Sequence, residues 1–152
     1  MSNVVTTMPH ASITDKIIAA FYDVYNEIGC GYVESVYHTC LTIALRSRGL
    51  LTNQEIPLDV YFRGNVVARF RADLIVENSV IVELKACRTI LAEHEVQLVN
   101  YLRCTAVEVG LILNFGPKPQ IKRSIFTNDR KHTNTSRVRE VGTRTNEESL
   151  LP

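Results

Sequence analysis

The sequence predicts an α/β domain in which a mixed central β-sheet is flanked by helices. Apolar residues recur at the helical 3.6-residue period in two N-terminal segments. They then alternate at the strand period of 2, return to helical spacing once, and end in two further strands. The resulting order, α, α, β, β, β, α, β, β, implies a sheet with helices packed against it. In addition, the stretch from Glu108 to Phe115 is almost wholly apolar, the pattern of a strand covered on both faces. At 152 residues the chain fits one domain, long enough to bury a core without staples.

Residues 1–12 carry no apolar period and are expected to form a flexible N-terminus, without the basic-then-apolar pattern of a signal peptide. Thr14 to Ile28 reads as an amphipathic helix through Ile17, Phe21, Val24, Tyr25 and Ile28, with Ser12 or Thr14 as its cap and Asp15 in its first turn. Gly29 and Gly31 break it. Glu34 to Arg48 forms a second helix with an apolar face of Tyr37, Leu41, Ala44 and Leu45, stopped by Gly49.

Thr52 to Phe62 starts the sheet, and Pro57, which lacks an N–H, suits an edge strand. Arg63-Gly64-Asn65 is a turn, Val66 to Val76 the second strand and Val80 to Ala86 the third. Glu93 to Arg103 is a helix with Val96, Val99, Leu98 and Leu102 turned inward and His94, Gln97 and Tyr101 along one stripe. Ile121 to Phe126 closes the domain, so the folded unit is expected over residues 13–126. Residues 127–152 are rich in Thr, Asn, Arg and Glu and are expected to be a basic, disordered tail.

Charge is concentrated where strands should be apolar. With Val76 opposite Val80 across a three-residue loop, Asp73 falls opposite Glu83. This register also aligns Phe70, Ala72, Leu74 and Val76 with Val80, Val82, Leu84 and Ala86 on one face, and a one-residue slip would place polar groups among them. Lys85, two residues past Glu83, shares its face. Two carboxylates at cross-strand distance repel, and a hard divalent cation such as Mg²⁺ relieves that while leaving room for phosphate oxygens. A lysine beside it can assist a water or neutralise a phosphoryl transition state. The bland alternative is a surface ion pair of Lys85 with Glu83 or Asp73. Glu34, in the first turn of its helix, has a bland role too, as a partner of the helix dipole.

Composition narrows the classes. Hydrophobic content of 45% and charged content of 22% are those of an ordinary globular protein, and no apolar run is long enough to span a membrane. Cys30, Cys40, Cys87 and Cys104 form no C-x-x-C pair, so no zinc ribbon or thioredoxin-like site is suggested. Cys87 and Cys104 read as small core fillers, and reduced thiols fit the cytoplasm. The net charge of +1 is uneven, since residues 118–152 hold eight Lys or Arg against four acids, which could help hold a phosphate backbone. Gly64, Gly110 and Gly116 make no phosphate loop, which disfavours a small-molecule phosphohydrolase.

Several runs in order carry a family resemblance: Gly31-Tyr32-Val33-Glu34-Ser35-Val36-Tyr37, Gln54-Glu55-Ile56-Pro57, Asp73, Glu83-Leu84-Lys85, Glu93 to Leu102 and Gly110 to Gly116. Together they resemble the GxxExxY protein family, a branch of the PD-(D/E)xK nuclease-like superfamily, over roughly Thr14 to Phe126. The resemblance implies a restriction-endonuclease-like core and a Mg²⁺- or Mn²⁺-dependent nuclease acting on DNA in preference to RNA. It implies Glu34, Asp73 and Glu83 as metal ligands, with the Leu84 carbonyl a further candidate, and Lys85, Glu83, Asp73 and Gln97 as catalytic residues. Tyr37 and Tyr101 are candidates for substrate binding, Tyr37 against its reading from the residues as a core aromatic with a satisfied hydroxyl, and a homodimer through the edge near Pro57 is considered. The rival expectation is a non-catalytic module on the same scaffold that binds nucleic acid or a protein.

Overall fold

The computed structural model describes residues 9–131. Its main elements come in the expected order: α1 (Ala11–Ile28), α2 (Glu34–Ser47), β1 (Thr52–Phe62), β2 (Asn65–Val76), β3 (Val80–Lys85), α3 (Ala92–Arg103), β4 (Val109–Phe115) and β5 (Pro119–Ile125). The strands lie in one sheet in the order β1-β2-β3-β4-β5. Only β3 and β4 run parallel, as the α3 crossover between them requires, and the other pairs are antiparallel. The fold is therefore the mixed, helix-flanked α/β sheet expected, with β1, the strand that carries Pro57, at an edge. Among the described residues nothing beyond that edge position points to a second copy of the chain.

Two cores sandwich the sheet. On one face Ile17, Phe21, Tyr37, Leu41 and Leu45 of α1 and α2 pack on Leu74, Val82, Leu84, Leu111 and Leu113. On the other, Leu98, Tyr101 and Leu102 of α3 pack on Ala72, Ile75, Ile81 and Ile112. β4 is buried along its whole length, as its composition requires. At Gly110 a Cβ would stand 2.6 Å from Leu98 Cδ1, so this glycine lets α3 lie directly on the strand.

Four expectations are corrected. First, α1 begins at Ala11, and neither Ser12 nor Thr14 caps it. Thr14 is buried instead, its hydroxyl donating to the Ala11 carbonyl at 3.1 Å and accepting from Arg123 at 2.9 Å. Second, Phe70 and Ala72 do not share a face with Leu74 and Val76. Ala72 belongs to the α3-side core and Phe70 packs on Tyr101, whereas Leu74 and Val76 belong to the α1–α2 side. β1 and β2 change face together here, because Glu55 takes a positive φ of 50° and the Glu55–Asp73 position drops out of the β1–β2 ladder. Third, Val96 points outward and is 61% exposed, while Leu98 and Leu102 carry the inner face of α3. Fourth, residues 127–131 belong to the fold: Asn128–Arg130 forms a 3-10 turn, and the Lys131 ammonium donates to the Thr105 and Val107 carbonyls at 2.7 and 2.8 Å. The rest of the expected tail, residues 132–152, and residues 1–8 of the expected N-terminus lie outside the described residues.

Candidate active site

The β2–β3 hairpin closes in the expected register, with Val76 opposite Val80, Ile75 opposite Ile81 and Leu74 opposite Val82. One step further the backbone ladder stops, at Asp73 and Glu83. Here the side chains take over its bonds: Glu83 Oε1 accepts the Asp73 N–H at 3.0 Å, and Asp73 Oδ2 accepts the Leu84 N–H at 2.9 Å. The strands part at the point where the two carboxyl groups meet.

Glu83 is only 6% exposed, and burial is the main reason its carboxyl is pushed up to about 8. The Asp73 charge and a hydrogen bond between the two carboxyl groups push the same way, against the Asp73 N–H and the Lys85 charge. Glu83 is thus the acid of the pair whose surroundings hold it protonated. A divalent cation can take that proton's place, so the donor set fits a hard, oxygen-seeking ion that takes one or two protein carboxylates. It is not a closed cage: among the described residues no three His, Cys, Asp or Glu side chains converge as a ready ligand set.

The start of α2 brings Glu34 to this pair. Partial burial raises its carboxyl above the ordinary range, the Lys85 charge lowers it and the Asp73 charge raises it, so Glu34 sits within the field of both. Lys85, the last residue of β3, makes no ion pair among the described residues, which removes the surface salt bridge as its explanation. From α3, Gln97 Nε2 donates to the Tyr101 hydroxyl at 2.8 Å. The Tyr101 phenol is pushed up by burial and then by the charges of Glu83 and Asp73, which keeps its proton in place beside them. Its ring is 5% exposed and packs on Phe70, so it walls the site rather than standing in the open.

Tyr37 is a correction. It is fully buried, stacks on Phe115 at 4.3 Å between ring centres, and cannot reach a substrate. Its hydroxyl donates to the Gly29 carbonyl at 2.6 Å and accepts the Tyr32 N–H at 3.2 Å, which ties down the loop ahead of Glu34. His94 Nδ1 accepts the Leu91 N–H at 3.0 Å, so its ring is spent on the start of α3.

His38 went unnoticed in the sequence. Its Nε2 lies 3.2 Å from the Asp73 carbonyl and 3.4 Å from Glu55 Oε1, joining α2 to both strands where their pleat breaks. The available signal was its place four residues after Glu34, on the same side of the helix.

A family model described as the PD-(D/E)XK nuclease superfamily matches residues 11–124. A solved structure titled "Crystal structure of SSO0001" is similar in fold, with a TM-score of 0.52 and 22% identity over 76% of this chain. The chain covers 59% of that structure's length. No curated protein matches significantly. Among the described residues no helix is long and apolar enough to cross a membrane.

Proposed function

The chain belongs to the PD-(D/E)XK nuclease superfamily, and from this we infer that it is a Mg²⁺- or Mn²⁺-dependent nuclease that hydrolyses phosphodiester bonds, in DNA in preference to RNA. The observation that carries the reading is the Asp73–Glu83 pair, two carboxyls drawn together at the cost of the strand ladder, with Lys85 beside them in no ion pair among the described residues. A buried acid pair without a cation is unfavourable, and a fold keeps such a pair most readily where it binds one. The run from Gly31 to Tyr37 supports a place in the GxxExxY branch.

Asp73 and Glu83 would hold the metal ion, with Glu34 closing the open side. When bound, the ion supplies positive charge to the phosphoryl oxygens and acidifies a water. Lys85 brings an ammonium to that water or to the charge that develops on the phosphate. Gln97, held by Tyr101, presents its amide to the water or the phosphate. Reduced cysteines, free in all four positions, favour the cytoplasm as the place of action.

The test is cleavage of labelled single-stranded, duplex and branched DNA and RNA with Mg²⁺, Mn²⁺ or chelator, with Asp73→Ala and Lys85→Ala beside the wild type. Metal-dependent cutting that both substitutions abolish is the expected result. A folded wild-type protein that cuts none of these substrates overturns the enzyme reading in favour of a non-catalytic binding module.

A further inference from the structure

Beyond the acid cluster the structure holds an open cleft of about 800 Å³. It lies past the C-terminal ends of the two parallel strands, where an open α/β sheet most readily takes a ligand. Three segments form it: residues 30–32 between α1 and α2, residues 86–88 after β3, and residues 115–118 at the end of β4. Two of these run straight into the acid cluster, since Tyr32 lies just ahead of Glu34 and Ala86 directly follows Lys85. The cleft is therefore next to the place where cutting is proposed.

The lining has a definite chemistry. Arg88 and Lys118 are exposed cations that enter no ion pair among the described residues. Tyr32 shows 54% of its surface, and it is held from behind by its backbone bond to Tyr37 and an edge contact between the rings. An exposed flat ring beside unpaired cations is how single-stranded nucleic acid is held, the base on the ring and the phosphates on the cations. A base inside a duplex has no free face to offer such a ring.

The cleft floor is fixed. Fully buried Asn114 clamps the loop that carries Arg88, its side chain accepting the Cys87 N–H at 3.0 Å and donating to the Cys87 carbonyl at 2.9 Å and to Gln120 Oε1 at 3.0 Å. Gln120 Oε1 also accepts the Ile90 N–H at 3.0 Å. A Cβ on Gly116 would collide with the Cys87 carbonyl oxygen, so only glycine lets the loop come this close. A buried amide spent on holding one loop makes Arg88 a pre-positioned contact rather than a loose surface charge.

We propose that this cleft seats an unpaired nucleotide of the substrate strand next to the cut, with its base on Tyr32 and its phosphates on Arg88 and Lys118. The inference rests on the nuclease reading for its ligand class, and it makes the preferred substrate a single strand or a duplex with a single-stranded tail.

Binding of fluorescent oligonucleotides, measured by anisotropy in chelator so that nothing is cut, tests it separately from activity. The oligonucleotides are single-stranded DNA, the same sequence in RNA, a tailed duplex and a blunt duplex. Single strands and tails should bind more tightly than the blunt duplex, and the DNA and RNA arms show which sugar is preferred. Tyr32→Ala should weaken single-strand binding on the order of tenfold, and Tyr32→Phe, which keeps the ring, should restore it. Arg88→Ala with Lys118→Ala should weaken it further and flatten its salt dependence by roughly 1.4 in log–log slope. All three side chains are exposed, and an unchanged thermal melt shows that the fold survives.

Equal affinity for blunt duplex and single strand overturns the proposal, as do unchanged binding in these variants, no binding at all, or full competition by a free nucleoside monophosphate. Cleft-dependent binding without cleavage would leave this inference standing and remove the nuclease reading. Cleavage with wild-type binding in the cleft variants would do the reverse.

Discussion

Asp73 and Glu83 face each other across a hairpin whose ladder they interrupt, each carboxyl accepting a backbone N–H of the opposite strand, at 2.9 and 3.0 Å. The bonds that would have joined the strands now orient the acids. This gives the pair a fixed geometry without help from a ligand, and it ties the electrostatics of the site to the stability of the fold.

The first consequence is a pH dependence of stability. The Glu83 carboxyl titrates near 4.5 when unperturbed and is pushed up to about 8 in the folded chain, first by burial and then by Asp73. Folding therefore takes up a proton between those values. The contribution is fully present below 4.5, falls as pH rises, and is gone above about 8. Glu83→Gln still accepts the Asp73 N–H but cannot ionise. In chelator, its melting temperature should gain on wild type by several degrees between pH 5 and pH 9. Parallel melting curves for the two proteins across that range would show that Glu83 is not held protonated.

Metal ions should reverse that penalty. A cation held by Asp73 and Glu83 would stabilise the folded chain by mass action, and it would compete with the proton on Glu83. Millimolar Mn²⁺ should raise the wild-type melting temperature, more at pH 8.5 than at pH 6, and leave Asp73→Ala unmoved. An equal rise in both proteins would place Mn²⁺ elsewhere on the chain.

Tyr37 should behave as a structural residue. Tyr37→Phe keeps the stack on Phe115 but loses the hydroxyl's bonds to Gly29 and Tyr32. A cost of about 1–2 kcal/mol follows, read as a few degrees in a thermal melt. With cleavage measured at saturating substrate, the rate should stay within about threefold of wild type, because no transition-state contact is lost. A stable variant with a rate lowered a hundredfold would restore a catalytic role for the phenol.

Much of this site was legible in the sequence. Alternating valines around Glu77-Asn78-Ser79 set the hairpin register, and the register alone put Asp73 against Glu83 with Lys85 on the same face. Gly49, with φ at 76°, ends α2 as its sequence position suggests. The change of face at Asp73 was hidden because it depends on a left-handed Glu55, a residue type that carries no such signal. Val96 misled because an apolar residue in a helix was assigned inward, although Leu98 and Leu102 already fill that face. Tyr37 and Tyr101 looked alike in sequence, and only packing separates a ring stacked in the α1–α2 core from one beside the acids.

His38 provides the sharpest test of how the acids are held. For Nε2 to bond the Asp73 carbonyl it must carry the proton, so the imidazole donates to the backbone of the very residue whose carboxyl meets Glu83. The same nitrogen lies 3.4 Å from Glu55 Oε1, which fixes the residue where the pleat breaks. His38 touches no proposed reacting group, so it acts as a positioning residue. His38→Ala should cost about 1 kcal/mol of stability. It should lower the saturated cleavage rate on the order of tenfold with KM little changed, and it should shrink the Mn²⁺-induced rise in melting temperature. A loss as complete as that of Asp73→Ala would mean that the imidazole takes part in the reaction itself. An unchanged rate together with an unchanged metal response would mean that Asp73 keeps its place without His38.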